Sequence, residues 1–188
     1  MKVFVGCASR NTDVEEYNDL AKKIANYIVK GNHSYVFGGC NNGFMGVIYK
    51  IVNSSDGSII AEGVKAYEDE ITSLIANSSN PNLKTNIHNT VNERTNAVFK
   101  NSDVIIFITG GIGSIYELMS AIETKRAGEH NNPIFIINVN GYYDNLIRML
   151  EKTYKEGFAS LSNKEVYNIC YSFEELERKL NVIQSNLI

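Results

Sequence analysis

Small residues followed by an acid form the most chemically suggestive stretch of the chain: Thr109-Gly110-Gly111-Ile112-Gly113-Ser114-Ile115-Tyr116-Glu117. The apolar run Val104–Ile108 enters it and reads as a buried parallel strand, and an amphipathic run from Ile115 to about Arg126 leaves it as a helix. A strand that ends in a glycine turn and restarts as a helix is suited to hold an anion. Glycines let backbone N–H groups approach it, and the first helical turn carries partial positive charge. Gly110, Gly111, Gly113 and Ser114 are therefore candidate phosphate ligands. Glu117 falls in the first turn of that helix, where a carboxylate next to a phosphate is repelled unless it has a task. Ser114 and Glu117 also spell S-x-x-E, the capping box, in which the acid returns to the backbone of the cap residue. A chemical and a structural role for Glu117 both stand at this point.

The pattern excludes two familiar phosphate sites. No G-x-G-x-x-G follows the first strand, and no acidic ribose reader is evident about 20 residues later, as dinucleotide folds require. No Gly-Lys-Ser/Thr follows the turn, so it is not a P-loop. A monophosphate suits it better than a pyrophosphate.

A second glycine turn, Gly38-Gly39-Cys40-Asn41-Asn42-Gly43-Phe44-Met45-Gly46, also opens a helix. Gly38 and Gly39 are expected to line a crevice, while Gly43 and Gly46 serve close packing and Met45 belongs to the core. Arg94 joins these turns by geometry. Its helix, about Val91–Asn101, runs antiparallel to the strand that follows, so its start lies at the sheet edge where that strand ends. Arg94 and Glu117 should thus face one crevice. Glu93 reads equally as a paired surface carboxylate or as a ligand reader.

The elements that must position these residues alternate. Strands are expected at Lys2–Cys7, Ser34–Phe37, Ser58–Ala61, around Ile87, at Val104–Ile108, Ile134–Asn138 and Val166–Cys170. Helices are expected from Asp13, as cap, to Lys30, then at Phe44–Asn53, Glu68–Ala76, Val91–Asn101, Ile115–Arg126, Tyr143–Glu156 and Phe173–Ile183. This order predicts an α/β fold: a doubly wound parallel sheet with helices on both faces. Ligands in such sheets bind beyond the carboxyl ends of the strands, where the strand order reverses.

The bulk properties narrow the classes of function. The chain has 188 residues, which fits one domain over residues 1–188. A formal net charge of −3 with no basic stripe argues against nucleic acid as partner. No stretch is long and apolar enough to imply a membrane span, and the N-terminus lacks a signal peptide. Cys7, Cys40 and Cys170 have neither metal-type nor redox-motif spacing, which points to reduced thiols in a cytoplasmic protein. His33, His88 and His130 are expected as solvated loop residues, with no metal site among them.

Taken together, the motifs resemble those of the LOG (lonely guy) family, once labelled lysine decarboxylase-like. Its P-G-G-x-G-T-x-x-E pattern is similar to Thr109–Glu117, and its M-H-x-R-K helix start to Val91-Asn92-Glu93-Arg94-Thr95. Its Y-G-G-G-x-x-G-L-M-G is similar to Phe37–Gly46, its N-V-D-G-Y-Y-D to Asn138–Asp144, and its E-G-F to Glu156-Gly157-Phe158. Thr109 replaces the family's Pro, Ser114 its Thr, Asn92 its His, Thr95 its Lys and Cys40 a Gly. Glu62–Thr90 matches poorly, and base recognition and part of the mouth are expected there.

The resemblance implies a modified Rossmann fold, a homodimer, and a phosphoribohydrolase that needs no cofactor. Such enzymes cleave the N-glycosidic bond of nucleoside 5′-monophosphates, AMP and cytokinin riboside monophosphates among them, to free base and ribose 5-phosphate. It makes Glu117 and Arg94 the catalytic pair and Gly110, Gly111, Gly113 and Ser114 the phosphate ligands. The competing expectation is a non-catalytic nucleotide sensor or carrier on the same fold. Decarboxylation through pyridoxal phosphate would need a Schiff-base lysine, and none falls in the glycine turns or beside Glu117.

Overall fold

The structure, a computed structural model, describes residues 1–186. Seven parallel strands form one sheet: β1 (Lys2–Gly6), β2 (Ser34–Phe37), β3 (Ile59–Val64), β4 (Leu83–His88), β5 (Val104–Phe107), β6 (Ile134–Ile137) and β7 (Asn168–Cys170). Their spatial order is β4-β3-β2-β1-β5-β6-β7. The chain steps outward from β1 to β4, then returns to the other side of β1. That reversal opens a crevice at the carboxyl ends of β1 and β5, whose register pairs Val5 with Ile106 and Gly6 with Phe107.

Among the described residues seven α-helices cover the two faces: α1 (Glu15–Lys30), α2 (Gly43–Ser54), α3 (Glu68–Ala76), α4 (Val91–Lys100), α5 (Ile112–Arg126), α6 (Asp144–Lys155) and α7 (Phe173–Ser185). Successive strand side chains point to opposite faces, so the sheet feeds two cores. Val3 and Val5 of β1 pack with Ile24 of α1, Ile48 of α2, Ile71 of α3 and Leu176 of α7. Phe4, between them, packs with Phe99 of α4, Leu118 of α5 and Leu150 of α6. This two-sided burial explains why β1, β5 and β6 are continuous apolar runs rather than alternating ones. The doubly wound α/β arrangement expected from the sequence is the one observed.

Local differences have identifiable causes. Asp13 does not cap α1; the cap position is Val14, which offers no side-chain acceptor. β3 runs past Ala61 to Val64, where Glu62, wholly buried, finds partners on β4 and at the end of α4. The histidines are not solvated loop residues. His33 is buried against the Tyr27 ring, His88 ends β4 beside Glu62, and His130 bonds the Ala121 carbonyl at 3.1 Å.

Candidate active site

The glycine turn after β5 is held from two sides. Ile108 N–H donates to the Gly6 carbonyl and Ala8 N–H to the Thr109 carbonyl, both at 3.0 Å, which extends the β1–β5 pairing into the turn. From the segment after β6, the buried Tyr143 hydroxyl donates to the Ile108 carbonyl at 2.7 Å, and the Tyr142 hydroxyl donates to the Gly110 carbonyl. Asn138 fixes this clamp by accepting from Tyr143 N–H at 2.7 Å. The tyrosines thus hold the backbone where Thr109 takes the place of a rigid proline.

Helix α5 begins three residues earlier than the sequence suggests, at Ile112 with Gly111 as cap. Its first intrahelical bond runs from Ile115 N–H to the Gly111 carbonyl at 3.0 Å. The N–H groups of Ile112, Gly113 and Ser114 precede that bond and face out of the helix end. A Cβ added at Gly111 or at Gly113 would meet no atom within 4 Å, so both leave open space above those donors.

This start removes the capping-box reading of Ser114 and Glu117. Ser114 lies inside the helix, and its hydroxyl donates to the Cys7 carbonyl at 3.0 Å. Such caps are found instead on α7, at Ser172 and Glu175, and on α4. Thr90 Oγ1 accepts from Glu93 N–H at 3.2 Å, while the Glu93 carboxylate accepts from Asn89 N–H at 2.9 Å. Glu93 is therefore a capping residue, and it fixes the turn that carries Arg94.

Arg94 Nη1 donates to Glu117 Oε1. The side chains are 14% and 3% exposed. They lie across the strand ends: a Cβ on Gly6 would sit 3.4 Å from Glu117 Oε2, and one on Gly38 would sit 3.5 Å from Arg94 Nη1. The contact that requires glycine at the end of β1 is with the Phe107 ring, 2.5 Å from an added Cβ. Glu117 Oε2 is buried and has no hydrogen-bond partner. Burial pushes the Glu117 carboxyl above its ordinary range, and the Arg94 charge and hydrogen bond pull it part of the way back. Tyr116 bonds Asn92, a second link between α5 and α4.

These groups open onto a cleft of about 740 Å³. Its walls include Cys7, Ala8, Ser9 and Arg10 after β1, Gly38, Cys40 and Met45 around the second turn, Tyr67 and Glu70 at α3, Arg94, and Gly111–Ser114 with Glu117. Gly39 and Gly110 stand behind this wall, for packing reasons. Gly39 has φ +87°, and a Cβ there would lie 2.2 Å from Ile71 Cδ1; one on Gly110 would lie 2.1 Å from Ser114 Oγ. Met45 reaches the cleft while still packing on the core. Gly43 and Gly46 serve close contacts, with added Cβ atoms 2.5 Å from Ala8 O and Asn41 O. Burial pushes both the Cys7 and Cys40 thiols up, so they line the cleft as neutral groups rather than as nucleophiles.

Arg10 belongs to the turn Gly6–Arg10 that closes β1, a third glycine turn expected at the strand ends, and Tyr67 and Glu70 fall in the stretch Glu62–Thr90 expected to form part of the mouth; neither motif names these side chains individually, and the sheet order brings them to the crevice. Behind the cleft, Glu62 accepts from Asn86 Nδ2 at 3.1 Å and Asn101 Nδ2 at 2.8 Å, and contacts His88 Nε2 at 2.6 Å. These bonds tie β3, β4 and the end of α4 into one support for the Arg94 helix. Among the described residues no cluster of His, Cys, Asp and Glu is arranged to hold a metal, and no helix is long and apolar enough to cross a membrane.

The molybdenum cofactor carrier protein of Chlamydomonas reinhardtii superposes on this chain with a TM-score of 0.67 at 14% identity, covering 98% of each chain. The molybdenum cofactor binding protein of Rippkaea orientalis gives 0.63 at 20% identity, covering 100% of this chain and 97% of that one. Both share the fold. The cytokinin riboside 5′-monophosphate phosphoribohydrolase LOG1 of Arabidopsis thaliana is 29% identical over 180 residues, 95% of this chain and 82% of the relative. LOG3 of the same plant is 28% identical over 180 residues, 95% and 81%. The family model described as "Possible lysine decarboxylase" matches residues 39–180, and the chain belongs to that family, the LOG family.

Proposed function

We propose that the protein hydrolyses the N-glycosidic bond of nucleoside 5′-monophosphates, of the AMP or cytokinin riboside monophosphate type, releasing the base and ribose 5-phosphate. The observation that carries this reading is the free Oε2 of Glu117, buried without a partner in the cleft wall while Arg94 holds Oε1. A 5′-phosphate on the α5 amides at Gly111, Gly113 and Ser114 brings the ribose over that oxygen. Breaking C1′–N sends the bonding pair to the base and leaves positive charge on the sugar. The Glu117 carboxylate stabilises that charge, accepts the proton of the water that adds at C1′, and gives that proton up to the departing base nitrogen, which regenerates the carboxylate. Arg94 keeps the carboxylate oriented and ionised. Binding energy from the phosphate supplies orientation at the reacting carbon.

The relatives printed as phosphoribohydrolases support this reading. A pyridoxal decarboxylase does not fit, since the cleft wall offers no lysine for the Schiff base. The reaction as proposed uses neither metal nor organic cofactor. The chain is proposed to act in the cytoplasm as one nucleotide-binding domain. It is proposed to pair as a homodimer through the exposed Ile115, Tyr116 and Met119 of α5, with light scattering as the check. The deciding experiment incubates the protein with AMP and follows free adenine by chromatography. Stoichiometric release of adenine and ribose 5-phosphate is expected.

One observation favours a second reading, a nucleotide carrier without turnover. The first turn of α4 lacks the additional cation that the family pattern places there: Asn92 is occupied by Tyr116, and Thr95 is buried. Tight AMP binding with no adenine released over long incubation would decide for it.

A further inference from the structure

Helices α4 and α5 share two polar side-chain contacts among the described residues. One is the buried pair of Arg94 with Glu117. The other lies at the surface, where the Tyr116 hydroxyl donates to Asn92 Oδ1. Tyr116 precedes Glu117 by one residue, and Asn92 precedes Arg94 by two. In a helix these steps turn the side chain by about 100° and 200°. The two contacts therefore leave each helix in different directions, and they pin the start of α4 to α5 at two points.

The buried pair is incomplete in a specific way. A guanidinium is a fork of N–H donors, and its common pairing with a carboxylate takes both oxygens. Arg94 takes Oε1 alone, and Oε2 has no partner. With α4 free to roll about a single contact, the guanidinium would settle onto both oxygens, because a buried unpartnered acceptor is costly. The surface bond opposes that roll. It joins a hydroxyl to an amide, so it brings no charge to the pair and acts through position only. The other titratable groups that feel the Glu117 charge are Cys7 after β1, Tyr35 of β2 and Tyr143 after β6. Burial pushes each of them up, toward the neutral form. Arg94 is thus the charge that governs Glu117, and a change in how it pairs is read in the Glu117 titration.

We infer that Tyr116 and Asn92 are positioning residues: their bond holds α4 where Arg94 reaches one oxygen of Glu117 and leaves the other for the reacting sugar and water. The catalytic part of this inference rests on the hydrolase reading above; the geometric part does not.

The test removes the bond from either side, with Tyr116→Phe, Asn92→Ala and the two together. The Glu117 carboxyl is titrated by carbon NMR, its signal identified by its loss in Glu117→Gln, and AMP hydrolysis is followed as kcat and KM. Each variant should move the Glu117 titration to lower pH by about 1 pH unit, as a second charged hydrogen bond forms. The kcat should fall by up to about 100-fold, the cost of a misplacement of about 1 Å, and KM should change less. The double variant should behave as either single one does, since all three lack the same bond. Asn92→Ala keeps the Tyr116 ring, which separates loss of the bond from any effect on subunit pairing. A lower melting temperature with an unmoved Glu117 titration overturns the inference and marks the bond as an ordinary helix contact. So does a titration that moves to higher pH, which would mean that Arg94 had left the carboxylate. Unchanged kcat in all three variants overturns the catalytic part while leaving the hydrolase reading intact. No adenine from the unaltered protein would instead bring down the hydrolase reading and the catalytic part with it, and the titration would then decide the geometric part.

Discussion

Arg94 engages one carboxylate oxygen of Glu117 and leaves the other free, across 23 residues of sequence. An ion pair built only for stability would use both oxygens, because an unpartnered buried acceptor costs about 1–3 kcal/mol. Here the unsatisfied oxygen belongs to a side chain of the cleft wall, where a bound ligand would repay the cost.

Glu117→Gln keeps the shape and removes the charge. AMP hydrolysis should fall by about 10²–10⁴-fold in kcat, the range for loss of a positioned acid–base group, while the affinity for AMP stays within a few-fold. Quenched-flow or long-incubation adenine assays give kcat, and calorimetry gives affinity. Retained turnover would remove Glu117 from the mechanism.

The pH profile follows from the direction of the Glu117 shift. Burial raises its carboxyl above the ordinary value of 4.5, and the ionised form is the one that works. Activity should therefore rise with pH through an apparent pKa above 4.5, provided the rate of the free enzyme is followed as kcat/KM. Stability moves oppositely. Between 4.5 and the folded-state value the native protein holds more protons at this site than the unfolded chain, so this group's contribution falls as pH rises through that window. The Gln variant should lose both dependences.

Two neighbouring glycines should respond oppositely to the same change. Gly111→Ala places a methyl group in open space, so the fold should be kept or gain about 0.4–1 kcal/mol, while phosphate-bearing ligands bind less well. Gly110→Ala drives the methyl into Ser114 and should lower the melting temperature. Thermal melts and AMP titrations on the pair separate a phosphate cradle from a tight turn.

Tyr143→Phe deletes the buried bond to the Ile108 carbonyl. A loss of about 1 kcal/mol is expected, seen as a melting temperature lower by about 2–4 °C. The glycine turn loses one anchor, so KM for AMP should rise more than kcat falls. A variant as stable as the parent would show that Tyr142 alone secures the turn.

Much of this molecule is legible in its sequence because the strong signals are local. The apolar run Val104–Ile108 and the glycines after it announce a strand and a ligand turn, and the β/α alternation dictates the sheet. Arg94 and Glu117 could be brought together because a helix that precedes a parallel strand must start at that strand's far end. What escaped reading depends on partners distant in the chain. Glu62 looks like the end of a strand until Asn86, His88 and Asn101 are seen around it. The true start of α5 carries no signal, since its cap is a glycine and Ile112 is exposed. The stretch Glu62–Thr90 is legible as part of the mouth, but only the strand order β3-β2-β1-β5 shows that Tyr67 and Glu70 are the residues it turns toward the crevice.

That same order governs how the molecule comes into being. The floor of the cleft is laid where Val3–Gly6 meets Val104–Phe107, so a growing polypeptide has no pocket until its second half has left the ribosome. Fragments that stop short of this meeting, or that lack the opening strand, should be inert toward nucleotides even where their helices form. Contacts of such long range also slow folding relative to a helical bundle of equal size.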